Sequence, residues 1–263
     1  MRIFHALKTV ATRRRRGGAA APALPDIIAE IRNRAAQGHL PDQVRWGDIL
    51  LDSIHVPPDP RQARRWYEIA ASAGYAPAHN MLGRCHHFGW GGPVDLQAAA
   101  ASYATAARLG DLWGCYNLGI MTMRGIGMPA DLPRALALFR SAADRGHAKS
   151  INLVARFTEE GWHTERDPAA ALAWYRRSAE GGDYRGQHNY ASALLAMGER
   201  APALAWWRRA AGDATSDVLL AMERTLAPLG PDGDPALLEQ VRARLAALGI
   251  ATLGITTLGI AAP

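Results

Sequence analysis

The stretch "ARRWYEIAASAGYA", residues 63–76, decides the fold, because its order of a Trp-Tyr pair, small residues and a glycine returns further along the chain. Shifting the sequence by 36 residues lays it on itself. Asp59, Asp95, Asp131 and Asp167 then share one column, Ala63, Ala99, Ala135 and Ala171 a second, and Tyr67, Tyr103, Phe139 and Tyr175 a third. Ala71, Ala107, Ala143 and Ala179 form a fourth, and Gly38, Gly74, Gly110, Gly146 and Gly182 a fifth. With aromatics at only 7% of the chain, an aromatic column is not a product of composition. A shortened copy, residues 201–213, keeps Ala203, Trp207 and Ala211. Self-similarity at this period marks stacked supersecondary units.

Each column has a physical role in a pair of antiparallel helices. The Asp, followed by Pro at 60 and 168, is an N-cap, and Pro at the first helical position loses no hydrogen bond. From Ala171, residues Trp174, Tyr175 and Ser178 follow at i+3, i+4 and i+7, the spacing of one buried helical face. That places Trp66, Tyr67, Tyr103, Phe139, Trp174 and Tyr175 in the core, while the glycine closes the helix. The next helix carries a large apolar residue followed by a small one: Leu82-Gly83, Leu118-Gly119, Val154-Ala155 and Tyr190-Ala191. Loops such as GWGGPVD (89–95) and GIGMPAD (125–131) follow. Their glycines look like pieces of a phosphate-binding fingerprint, yet no strand precedes them, so the dinucleotide reading fails its context.

These features, clearest in LGIMTMRGIGMPADLPRALALFRSAADRGHA (118–148), resemble the Sel1-like repeat family, a relative of the tetratricopeptide repeat. The resemblance covers roughly residues 38–213 and departs where the usual tyrosine is His86, Thr122 or Thr158, and where the loop's second glycine is His163. It implies an all-α fold, a right-handed α-solenoid of stacked antiparallel helix pairs, serving as a scaffold or adaptor that binds another protein in its groove. Some secreted relatives have been linked to β-lactam hydrolysis, but those carry paired cysteines in each repeat. A hydrolase of that type is therefore only a second alternative, and the chain reads as a non-enzyme.

Caps are expected at both ends, because each repeat buries its face only on a neighbour. Residues 25–38 read as a lone helix with Ile27, Ile28 and Ile31 inward, and 215–230 with 234–249 as a closing pair, so the solenoid runs over 26–248. The segment 249–263 repeats a five-residue unit with Gly249, Gly254 and Gly259 in step, a low-complexity tail. Residues 1–25 hold Arg2, Lys8, Arg13, Arg14, Arg15 and Arg16 and no acid. The rest of the chain balances 24 Lys/Arg against 24 Asp/Glu, so no nucleic acid is expected as a partner. The arm reads as disordered, as an amphipathic helix contacting an anionic membrane through Arg13–Arg16, or as a transit segment; the membrane-bound adaptor is the first alternative function. Two cysteines, the lack of a run of roughly 18 apolar residues and a poor signal sequence indicate a cytoplasmic protein.

Signatures of catalysis or metal binding are missing from the sequence, and no cofactor is implied. Cys85-His86-His87 is the nearest cluster, but neighbours on a helix diverge by about 100°. The family pattern instead selects a partner-binding groove on the helices that carry the Leu-Gly pair. Its residues are Asn80, Arg84 and His87; Trp113, Tyr116, Met123 and Arg124; Lys149, Asn152 and Arg156; Arg185 and His188. Cations outnumber acids there, Glu159 and Glu160 being the exceptions, so an acidic peptide or a C-terminal carboxylate is the expected partner.

Overall fold

The structure is a computed structural model that describes residues 24–250; the basic arm and nearly all of the low-complexity tail lie outside the described residues. Among the described residues there are thirteen α-helices, one 3-10 turn and no strand. The chain divides into two compact units, residues 1–145 and 146–263. The first contains α1 (Asp26–Ala36), α2 (Leu40–Asp52), α3 (Pro60–Ser72), α4 (Ala76–Phe88), α5 (Leu96–Arg108), α6 (Leu112–Arg124) and α7 (Leu132–Asp144). The second contains α8 (Ala148–Glu160), α9 (Pro168–Glu180), α10 (Tyr184–Ala196), α11 (Arg200–Ala211), α12 (Ser216–Leu226), the 3-10 turn Ala227–Asp232 and α13 (Pro235–Ala247).

Within each unit consecutive helices pack on one another, except that α11 packs on α13 rather than α12, and the even-numbered helices also touch along their own row: α2 on α4 on α6, and α8 on α10 on α12. The N-terminal helix is not alone, since α1 packs against α2. Its Ile28 is buried, whereas Ile27 is 63% exposed and Ile31 only half-buried, a narrower inward face than three isoleucines imply.

The Asp column caps as its chemistry requires. Asp59, Asp95, Asp131 and Asp167 each accept the backbone N–H of the third helical residue at 2.9 Å, satisfying a donor with no intrahelical partner. The same residues also close the preceding loop through their own N–H groups, which donate to the carbonyls of Leu50, His86, Thr122 and Thr158. The loop therefore uses the backbone of the column where tyrosine is usual, and substitution by His or Thr leaves it intact. Loops 89–95 and 125–131 need two left-handed residues, supplied by Gly89 with Gly91 and Gly125 with Gly127. In the fourth loop Gly161 is followed by His163, which takes φ 51 without a glycine's freedom.

Aromatic residues of the odd-numbered helices fill the space between pairs. Tyr67, Tyr103, Phe139, Tyr175 and Trp207 are each 2% exposed or less. Trp66 and Trp174, expected beside them, are only half-buried. Each Trp immediately precedes its buried Tyr, and about 100° of helix turns it to the margin of the face. The small column explains the fit: a Cβ at Gly47, Gly83 or Gly119 would overlap the ring of Tyr67, Tyr103 or Phe139. The second unit has Ala155 packed with Tyr175, and Ala191 with Trp207.

Candidate partner-binding surface

The surface indicated by the sequence lies on the even-numbered helices. Helices α4, α6 and α10 contain no Asp or Glu, although the chain beyond residue 25 is charge-balanced. In the first unit Arg84 lies over the Trp90 ring at 4.7 Å, and its Nη1 donates to the Met81 sulfur at 3.6 Å. His87 stacks on Phe88 with ring centres 4.6 Å apart and meets Tyr103 edge-on. Burial lowers its pKa, so the imidazole is neutral near pH 7. Trp113 and Tyr116 form a T-shaped pair at 5.9 Å, half-buried, and Tyr116 also contacts Phe139. Met123 is half-buried and Arg124 exposed.

In the second unit Arg156 is exposed over Trp162 at 5.5 Å, while Lys149 and Arg185 both approach the Tyr184 ring, at 5.4 and 5.5 Å. Arg185 is paired within the fold: its Nη1 and Nη2 donate to the Asp217 carboxylate at 2.8 and 3.3 Å. His188 accepts from the Trp207 indole N–H at 3.1 Å, and burial, with Arg185 beside it, lowers its pKa to about 4. His188 is thus a neutral acceptor and adds no charge. Glu159 accepts the Tyr175 hydroxyl at 2.6 Å.

Asn80 and Asn152 are only 8% and 4% exposed. The Oδ1 of Asn80 accepts from Asn117 Nδ2, and that of Asn152 from Asn189 Nδ2, each at 2.8 Å. These amides tie neighbouring even helices together: α4 to α6, and α8 to α10. The aromatic shelves under the arginines, Trp90 and Trp162, escaped sequence reasoning because they sit in loops outside the groove-lining helices. A signal was present, as each tryptophan follows its arginine by six residues.

The Sel1 repeat model matches residues 42–75, 76–111, 114–147 and 148–183, more than half of the chain, and the protein belongs to the Sel1 repeat family. Sel1 repeat proteins generally serve as protein-interaction scaffolds, and the fold is typically non-catalytic. Among solved structures, a Sel1 repeat protein from Oxalobacter formigenes superposes with a TM-score of 0.70 at 21% identity, covering 84% of this chain and 99% of that one. The c5321 protective antigen of uropathogenic Escherichia coli has a TM-score of 0.62 at 26% identity over 84% of this chain; the match spans about half, 49%, of the antigen's length. The immunity protein PA5088 from Pseudomonas aeruginosa gives 0.55 at 17% identity, covering 88% of this chain and 86% of that one. No curated protein matches the sequence. Among the described residues no helix is long and apolar enough to cross a membrane.

Proposed function

We propose that this chain is an adaptor whose even-numbered helices bind an acidic segment of a partner protein. One observation carries the reading: Arg84 and Arg156 are each laid against an indole on the surface of the fold. Stacking of this kind holds a guanidinium by its face and leaves the in-plane N–H fork free to grip a carboxylate. Arg124 adds positive charge in the first unit and Lys149 in the second, and Trp113 with Tyr116 offers half-buried aromatic surface for apolar side chains. Asn80, Asn152 and His188 support this surface from beneath and contribute no charge to it. A reducing, cytoplasmic setting fits Cys85 and Cys115, which are buried as free thiols.

The test is charge reversal at Arg84, Arg124 and Arg156 together. The wild-type chain should capture its partner from native lysate with an affinity that falls as salt rises, and the triple variant should lose most of both the affinity and the salt dependence. Undiminished capture by a triple variant of normal helicity would place the binding surface elsewhere.

A further inference from the structure

The end of α4 and the loop that follows it carry apolar surface with no role in the repeat. Phe88 is 55% and Val94 59% exposed. Isolated exposed apolar residues are ordinary, but these belong to a contiguous group. Phe88 stacks on His87 with ring centres 4.6 Å apart and meets Trp90 at a tilt, at 5.3 Å, and Val94 lies against Gly89. Arg84 joins the group through the Trp90 ring.

We infer that Arg84, Phe88, Trp90 and Val94 form a docking corner for an acidic segment in which a carboxylate and a large apolar side chain are near neighbours. The inference rests on the proposed reading of the α4 face as a partner surface and names what that partner presents. Charge complementarity selects it. The Arg84 guanidinium donates to a thioether, a weak acceptor that a carboxylate would outcompete. Asp48 attracts Arg84 without pairing with it and is engaged by the Tyr67 hydroxyl at 2.8 Å. The nearby Arg64 is bonded to Glu68. A helix C-terminus ordinarily repels anions, but here the carbonyls of Cys85 and His86 are taken by the N–H groups of Trp90 and Asp95. The loop is also prebuilt. Gly91 has φ 73 and lies so close to the Pro60 carbonyl that a Cβ would collide with it, which holds the loop against the start of α3. A rigid corner loses little entropy when it is occupied.

The experiment titrates the full chain with the blocked peptide Glu-Glu-Phe-Glu-Glu, using Gln-Gln-Phe-Gln-Gln and Glu-Glu-Ala-Glu-Glu as controls, read by NMR shifts. Saturable binding of the first is expected, weakened about fivefold or more in either control and in Phe88→Ser, Val94→Ser and Arg84→Gln. No saturable binding, or binding indifferent to Phe88→Ser and Val94→Ser, overturns the corner. If Arg124→Glu/Arg156→Glu abolishes such indifferent binding, the corner fails while the wider acidic-segment reading stands. Phe88-dependent co-sedimentation with phosphatidylserine vesicles in the absence of peptide binding would overturn it in favour of a lipid surface. Phe88-dependent dimerisation without peptide binding would overturn it in favour of a second copy of the chain.

Discussion

The aromatic sockets of the two units have different floors. In the first unit the ring rests on a glycine; in the second it rests on an alanine. Where the floor is Gly47, the ring settles onto the helix backbone and the Tyr67 hydroxyl reaches Asp48, the very next residue. Where it is Ala155, the Tyr175 hydroxyl finds Glu159, one helical turn further on. On Ala191, the Trp207 N–H turns back to His188. Tyr67, Tyr175 and Trp207 thus each meet an acceptor at a different place relative to the floor residue. Repeats can therefore drift in sequence while keeping the large ring buried.

The heaviest blow to a glycine-floored socket is to remove its ring. Phe139→Ala should cost about 3–5 kcal/mol in chemical denaturation and reduce cooperativity, since the loss falls mainly on adjacent repeats. An unchanged midpoint would show that the ring is not seated as described.

Exchanging the floors tests the comparison directly. Gly83→Ala gains helix propensity but forces a methyl into the Tyr103 ring, and overpacking should win by about 1–2 kcal/mol. Ala155→Gly meets no clash and should cost about 1 kcal/mol, chiefly through backbone entropy. A stabilised Gly83→Ala protein would break the contrast.

Acid separates the sockets' acceptors. Burial raises the Asp48 pKa to about 6, above its unfolded value, so its contribution is full below about pH 4 and lost as pH rises towards 6. Burial lowers the His188 pKa to about 4, so its contribution is present above about 6.5 and lost as pH falls towards 4. Between these limits segment-resolved hydrogen exchange should show the two contributions moving in opposite directions, by about 1 kcal/mol for Asp48 given its partial solvent access. Asp48→Asn should erase its component, and a slope identical to wild type would reject the assignment.

The helix pairs were legible because their determinants are local and recur. A capping Asp, a glycine after the helix and a ring four residues past a small one announce themselves at a fixed spacing. What escaped was directional. Asn80 and Asn152 sit where a groove residue should, yet each turns inward to a neighbouring amide, and a few tens of degrees of helix rotation decide between the two. His188 looks cationic until Trp207, nineteen residues away, is seen to donate to it. Phe88 stands where the next two copies have Arg124 and Glu160, so no apolar column marks it.

The amide bridges also restrict how the array can grow. Asn80 and Asn152 stand 72 residues apart, and so do Asn117 and Asn189, Arg84 and Arg156, and Trp90 and Trp162. Shifted by half that interval, the pair Asn80 and Asn117 becomes Tyr116 and Leu153, which cannot complete such a bridge. Duplicating or excising a single copy at this row would strand a buried amide and forfeit the hydrogen bond that offsets its desolvation. Gaining or losing copies two at a time preserves the phase. At this row the smallest change of length that keeps the amides paired is thus a couplet of repeats.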